Sequence, residues 1–165
     1  MMIADLPIRL ETLDPGHPDA QALMARSEAL MSALYPAESN HFEPADGLRA
    51  PGGSFFGVWR GEVLLGCGGV KFHAGADEPP YGEIKRLFVL DSERGRGLAR
   101  RLMARLEAEL LARGVQVARL ETGIHQPEAL GLYRGLGYVE RPPFGAYAPD
   151  PLSVFFEKRL SPPVR

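Results

Sequence analysis

The chain has 165 residues, 45% of them hydrophobic, enough for one domain with a proper core, since domains run about 100–200 residues. Its 19 basic and 21 acidic side chains nearly cancel, which excludes the global positive field that draws proteins to nucleic acid or an anionic membrane. The single cysteine, Cys67, forms no internal disulfide, no window approaches the ~18 apolar residues of a membrane span, and MMIADLPIRLE lacks the build of a leader. A cytoplasmic location is expected.

In chain order, Ile8 to Leu13 is a candidate strand. DPGHPDAQALMARSEALMSALYP predicts a helix with Pro18 in its first turn, Leu23, Leu30 and Leu34 on one face, and Pro36 as its stop. AESNHFEPADGLRAPGG is turn-rich, with one short helical piece. SFFGVWRGEVLLGCGGVKFH holds two apolar runs joined at Arg60-Gly61, a hairpin signal, and YGEIKRLFVL alternates as a strand. From Leu98 the residues Leu102, Met103, Leu106, Leu110 and Leu111 keep helical spacing. Arg105, Glu109 and Arg113 pair at i,i+4, and Gly114 ends the segment. VQVARLET is the next strand, QPEALGLYRGLG a short helix with Pro127 in its first turn and Gly137 past its end, and LSVFFEKRL a closing strand. This alternation implies an α/β or α+β fold, a mixed central sheet of about six or seven strands with helices packed on it, in a single domain over 1–165.

The helix starting near Leu98 opens with the wrong charges. Arg94, Arg96, Arg100 and Arg101 crowd a terminus that carries about half a positive charge and favours acidic neighbours by roughly 0.3–1 kcal/mol each. A strand, a glycine-containing turn and a helix start form an anion site, because the first helical amides lack intrahelical partners. Gly95 and Gly97 allow close backbone approach. A bound polyphosphate would account for the arginines. Neither GxxxxGK[ST] nor GxGxxG occurs at this turn, which argues against a P-loop or a dinucleotide site.

Over residues 83 to 138 these segments resemble the GNAT family of N-acetyltransferases. Arg94, Gly97 and Ala99 match R/Q-x-x-G-x-G/A after the strand Leu87-Phe88-Val89, and HQPEALGLYRGLGY resembles N-x-x-A-x-x-x-Y-x-x-x-G-F. The resemblance implies the GNAT fold, with about four helices and a splayed V between two parallel strands, and acetyl-CoA as cosubstrate. It implies that backbone of Leu87, Phe88 and Val89 pairs with the pantetheine arm, that Arg94, Gly95, Arg96, Gly97, Leu98, Ala99 and Arg100 wrap the pyrophosphate, and that Gln126, where the family has asparagine, and Tyr133 flank the cofactor.

By the same resemblance, Tyr133 is the general acid for the departing thiolate; a phenol of pKa near 10 holds its proton at neutral pH. Its other reading is an aromatic on the inner face of a short helix. The base is expected to be Glu121 or Glu83, each of which is otherwise a salt-bridged strand residue near Lys85, Arg86 and Arg119. Cys67 reads as a buried structural thiol, and His17, His41, His73 and His125 are too scattered for a metal site. Tyr35, Glu38, Ser39, His41, Tyr147 and Ser153 are candidates for shaping the acceptor pocket, Glu38 attracting a cationic amine. The expected activity is acetyl transfer to a primary amine of a small molecule or peptide, with a non-catalytic acyl-CoA sensor as the alternative. Nucleic acid and membrane are not expected partners. The acceptor's identity, the use of longer acyl-CoAs and homodimer formation stay open.

Overall fold

A computed structural model describes residues 2 and 5–161; the ends of the expected domain at 1, 3, 4 and 162–165 lie outside them. Seven strands form one sheet: β1 (Ile8–Thr12), β2 (Gly53–Arg60), β3 (Val63–His73), β4 (Tyr81–Val89), β5 (Val117–Gly123), β6 (Val139–Arg141) and β7 (Ser153–Arg159), in the order β1-β2-β3-β4-β5-β7-β6. The helices are α1 (Pro18–Leu34), α2 (Leu98–Ala112) and α3 (Pro127–Gly135). Three α-helices stand where the resemblance implies about four. The turn-rich stretch after α1, with two prolines in nine residues, yields only 3-10 turns at Ala37–Ser39 and Ala45–Leu48, and a third such turn spans Asp91–Glu93.

The hydrophobic alternation of the strands sorts side chains onto two faces. Phe56, Val58, Leu65, Val70 and Ile84 pack with Leu98, Leu102, Met103, Leu106 and Leu110 of α2, all five α2 residues nearly inaccessible. Phe55, Trp59, Leu64 and Cys67 pack on the opposite face with Ala20, Leu23 and Met24 of α1. Each such side chain removed from water contributes about 1.5–3 kcal/mol, so α2 is the principal clamp on the sheet. Arg105 and Arg113 both reach Glu109, at 3.2 and 3.1 Å, as the i,i+4 spacing predicts. The stripe on α1 continues only as far as Met24 into the core. Leu30 and Leu34 are 38% and 37% exposed, because the C-terminal half of the helix overhangs an opening in the sheet.

That opening follows from strand pairing. All neighbours are antiparallel except β4 and β5, which pair in parallel at Gly82↔Ala118 and Glu83↔Arg119 and then part. At the closed end Arg119, 7% exposed, donates twice to Glu78 at 2.9 and 2.8 Å and once to Glu157 at 2.8 Å, and its guanidinium lies 4.3 Å from the Tyr81 ring centroid.

Candidate active site

Beyond the closed end, β4 carries an irregularity. Cys67 pairs with Phe88 and Gly69 with Lys85, so two steps along β3 oppose three along β4, a bulge that leaves one residue out of register. Arg86 takes the strain with φ +59°, the only non-glycine residue with positive φ among the described residues. A left-handed residue with a side chain costs about 1–2 kcal/mol. The Arg86 side chain is anchored on the segment after α1, where Nε donates to the Glu43 carbonyl at 3.0 Å, and on α1 itself, where Nη2 donates to Glu28 at 3.0 Å.

Between the parted strands lies a cavity of about 630 Å³. Its wall takes in Leu87, Phe88, Val89, Arg94, Gly95, Gly97, Leu98, Ala99, Arg100, Gln126 and Tyr133, so the expected cofactor residues meet on one surface. Arg96 does not reach it. Its side chain is 54% exposed and turned to Glu93 at 3.9 Å.

Gly97 is the N-cap of α2 with φ +74°, has no side-chain cap, and leaves the first turn without an acidic residue. The first intrahelical bond from this end runs from the Arg101 amide to the Gly97 carbonyl, so the amides of Leu98, Ala99 and Arg100 have no partner in the helix. A side chain built on Gly95 or Gly97 would meet nothing within 4 Å; the space in front of these amides is open. Arg94 bridges Asp91 at 2.9 Å and Glu128, in the first turn of α3, at 2.9 Å. Beneath the loop, Glu93 is tied to Arg60 of β2 at 2.8 Å, both side chains 10% exposed.

The two candidate bases have different surroundings. Glu83 is absent from the wall and fully engaged: the His73 ring at 3.0 Å, Lys85 at 3.4 Å and the Tyr147 hydroxyl all bind its carboxylate. Burial alone would raise its pKa, but the His73 bond, the Lys85 charge and the Tyr147 hydroxyl together hold it below the ordinary value. Glu121 lies in the wall and accepts one hydrogen bond, from Ser153 at 2.8 Å. Burial pushes its carboxyl above the ordinary value despite the Ser153 bond and the nearby His41 and Lys85 charges. Tyr133 is 7% exposed; burial, then the charge of Glu121, raise its phenol well above the usual range. Cys67 is buried, its thiol pushed up to about 12 by desolvation, which fits the structural reading.

Of the residues expected around the acceptor, Tyr35, Ser39 and His41 line the cavity, Tyr147 and Ser153 support it through Glu83, Lys85 and Glu121, and Glu38 faces solvent away from it. The Tyr35 hydroxyl accepts from the His125 amide at 3.0 Å, and the two rings stack at 5.4 Å. This fit needs Gly123, because a methyl there would overlap the Tyr35 phenol. Gly123→Ala is expected to cost about 1–3 kcal/mol, as overpacking does, read as a lowered urea midpoint.

A family model described as the acetyltransferase (GNAT) family matches residues 20–138. An IAA acetyltransferase of Azospirillum brasilense is 41% identical over 138 residues, 84% of this chain and 88% of that protein. The chain belongs to the GNAT family. A GNAT relative in Bacillus subtilis, the uncharacterized N-acetyltransferase YsnE, is 34% identical over 133 residues, 79% of this chain and 85% of its own. Among solved structures, a Klebsiella pneumoniae protein described as an acyl-CoA N-acyltransferase superposes with a TM-score of 0.77 at 32% identity, covering 93% of this chain and 98% of that one. The PaiA N-acetyltransferase of Thermoplasma acidophilum, solved with coenzyme A, gives 0.69 at 15% identity over 93% and 99% of the two chains and shares the fold. As a GNAT acetyltransferase, this chain takes acetyl-CoA as its cosubstrate. Among the described residues no helix is long and apolar enough to cross a membrane, and no three His, Cys, Asp or Glu side chains gather as metal ligands.

Sequence reasoning missed Arg86, Phe42 and the cavity-facing role of Leu30 and Leu34. Arg86 had a signal only as one of several charges on YGEIKRLFVL; the bulge that gives it a role is formed by pairing with β3.

Proposed function

We propose that the chain transfers the acetyl group of acetyl-CoA directly to a primary amine, with Glu121 as general base and Tyr133 as general acid. The observation that carries this reading is one cavity wall holding the uncapped start of α2, the free edge of β4 at Leu87–Val89, Glu121 and Tyr133. Unpaired amides beside open space at Gly95 and Gly97 suit a pyrophosphate, and Leu87 to Val89, unpaired on the β5 side, suit an extended pantetheine arm. Bound acetyl-CoA supplies the thioester carbon and a thiolate leaving group.

The amine must lose a proton to become a nucleophile, and Glu121, made more basic than an exposed carboxylate by burial, accepts it. Tyr133 stays protonated through neutral pH because burial disfavours its anion, and its hydroxyl gives the proton that the departing sulfur needs. No side chain has to act as nucleophile. A carboxylate and a phenol on the same wall as the uncapped helix start favour turnover over a non-catalytic sensor.

A thiol-release assay with acetyl-CoA across a panel of amines tests the reading. Tyr133→Phe is expected to lower kcat by roughly 10²-fold, the lower range for a general acid, with the KM for acetyl-CoA nearly unchanged. Wild-type kcat in the phenylalanine variant would remove Tyr133 from the chemistry. Retained binding of acetyl-CoA without release on any amine would overturn catalysis.

A further inference from the structure

We propose that the acceptor is an apolar amine that also carries a carboxylate, an apolar amino acid being the simplest, and that Arg86 reads the carboxylate. This rests on the acetyl-transfer reading and narrows its substrate class.

The charges on the cavity wall point to such a zwitterion. Four carboxylates line it, and three are spoken for: Glu43 by Lys71 at 2.9 Å, Glu93 by Arg60 at 2.8 Å and Glu128 by Arg94 at 2.9 Å. Among the described residues Glu121 has no cation within ion-pair distance and accepts only from Ser153. An incoming ammonium therefore has one unpaired acid to approach.

Of the neighbouring cations, Lys85 has its donors committed to the His41 carbonyl at 3.2 Å, the Tyr147 hydroxyl at 2.9 Å and Glu83 at 3.4 Å. Arg86 is different. Its side chain is nine-tenths buried, anchored by Nε on Glu43 and Nη2 on Glu28, yet Nη1 is buried and has no hydrogen-bond partner among the described residues. A buried donor left unpaired is costly, and a guanidinium fixed on two sides presents its remaining N–H groups in the fork that carboxylates fit. Arg86, with its left-handed backbone, is a residue of the cavity wall. Glu28 anchors it from outside the cavity, with its side chain 39% exposed.

The surroundings supply the apolar half of the ligand. Seven large hydrophobic side chains are exposed on the described surface, and three of them, Leu30, Leu34 and Phe42, border this cavity. Phe42 stands over Arg86, its ring centroid 5.2 Å from the guanidinium carbon. The proposal requires this ring, 38% exposed, to yield so that a carboxylate reaches Nη1, and places the acceptor's apolar part against it.

The experiment compares L-leucine, L-phenylalanine and analogues with one to three carbons between amine and carboxylate against their amides and decarboxylated amines, by thiol release. Wild type is expected to prefer the acids by roughly tenfold or more in kcat/KM, the scale of one charge-assisted pair. Arg86→Gln is expected to bring that ratio close to one through KM, with Arg86→Lys recovering part of it. Calorimetric titration of N-acetyl-L-phenylalanine onto the protein without acetyl-CoA is expected to show weaker binding to the glutamine variant. Equal use of acids and amides by wild type, or a ratio that survives Arg86→Gln, overturns the assignment while leaving acetyl transfer intact. Absence of thiol release from every amine, including polyamines and peptides, would overturn the transfer reading itself and this proposal with it.

Discussion

Glu121→Gln is expected to lower kcat by about 10²–10³-fold and to remove the acid limb of the pH–rate profile, as loss of a general base does. In the wild type that limb falls above the pH of an ordinary carboxylate, because burial raises the pKa of Glu121 and the base works only when ionised. The same shift predicts an opposite effect on stability. A carboxyl whose folded-state pKa is raised contributes stability that is present below its unfolded pKa and lost as pH rises through the folded value. At neutral pH the buried charge is a burden, so the glutamine variant should melt at a higher temperature than wild type there and lose that advantage toward pH 4. Glu83→Gln should do the reverse. Its carboxyl sits below the ordinary value, so its contribution is present above the unfolded pKa and lost as pH falls through the folded one. Removing it strands His73, Tyr147 and Lys85, lowering Tm while the acid limb remains. An acid limb that persists in Glu121→Gln and disappears in Glu83→Gln would exchange the two roles.

Gly97→Val is expected to weaken acetyl-CoA binding by tenfold or more, measured by titration, while Arg101→Ala changes it by less than about threefold. The structure separates two reasons. The φ of +74° is reached by valine only at a cost of about 1–2 kcal/mol, more for a branched side chain. The new side chain would also project into space that the protein leaves open in front of the unpaired amides. Arg101 is exposed and outside the cavity wall, where one charge is screened by solvent. Equal effects of the two substitutions would show that charge, not backbone approach, governs the site.

Much of the fold is legible in the sequence because its elements carry local signals. The α2 periodicity ends at Gly114 with φ +75°, the hairpin turns at Gly61 with φ +57°, and α3 stops before Gly137 with φ +93°, each glycine standing where only a residue without a side chain turns cheaply. β6 was not legible. Val139–Arg141 is three residues long with Val139 69% exposed, too short for a period to register. The site divides in the same way. The loop around Gly97 and the helix carrying Tyr133 are contiguous in sequence, so their pattern survives in one dimension. Which glutamate is free to act depends on Tyr147, 64 residues from Glu83, and on His73 across the β3–β4 pairing. Leu30 and Leu34 fall on the same stripe as Leu23, and periodicity cannot say where along a helix the core ends and a cavity begins.

The two-pair junction between β4 and β5 makes the sheet two leaves joined at one end rather than a single plate. A rotation of one leaf by a few degrees about Gly82–Glu83 and Ala118–Arg119 hardly moves the ion-paired closed end, but it displaces the far end in proportion to its distance from that pivot. The loop before α2 and the start of α3 stand at the far end, bridged by Arg94 and Glu128. About six residues at ~3.3 Å each separate the pivot from the far end of β4, so each degree between the leaves changes the width of the entrance by only a few tenths of an ångström.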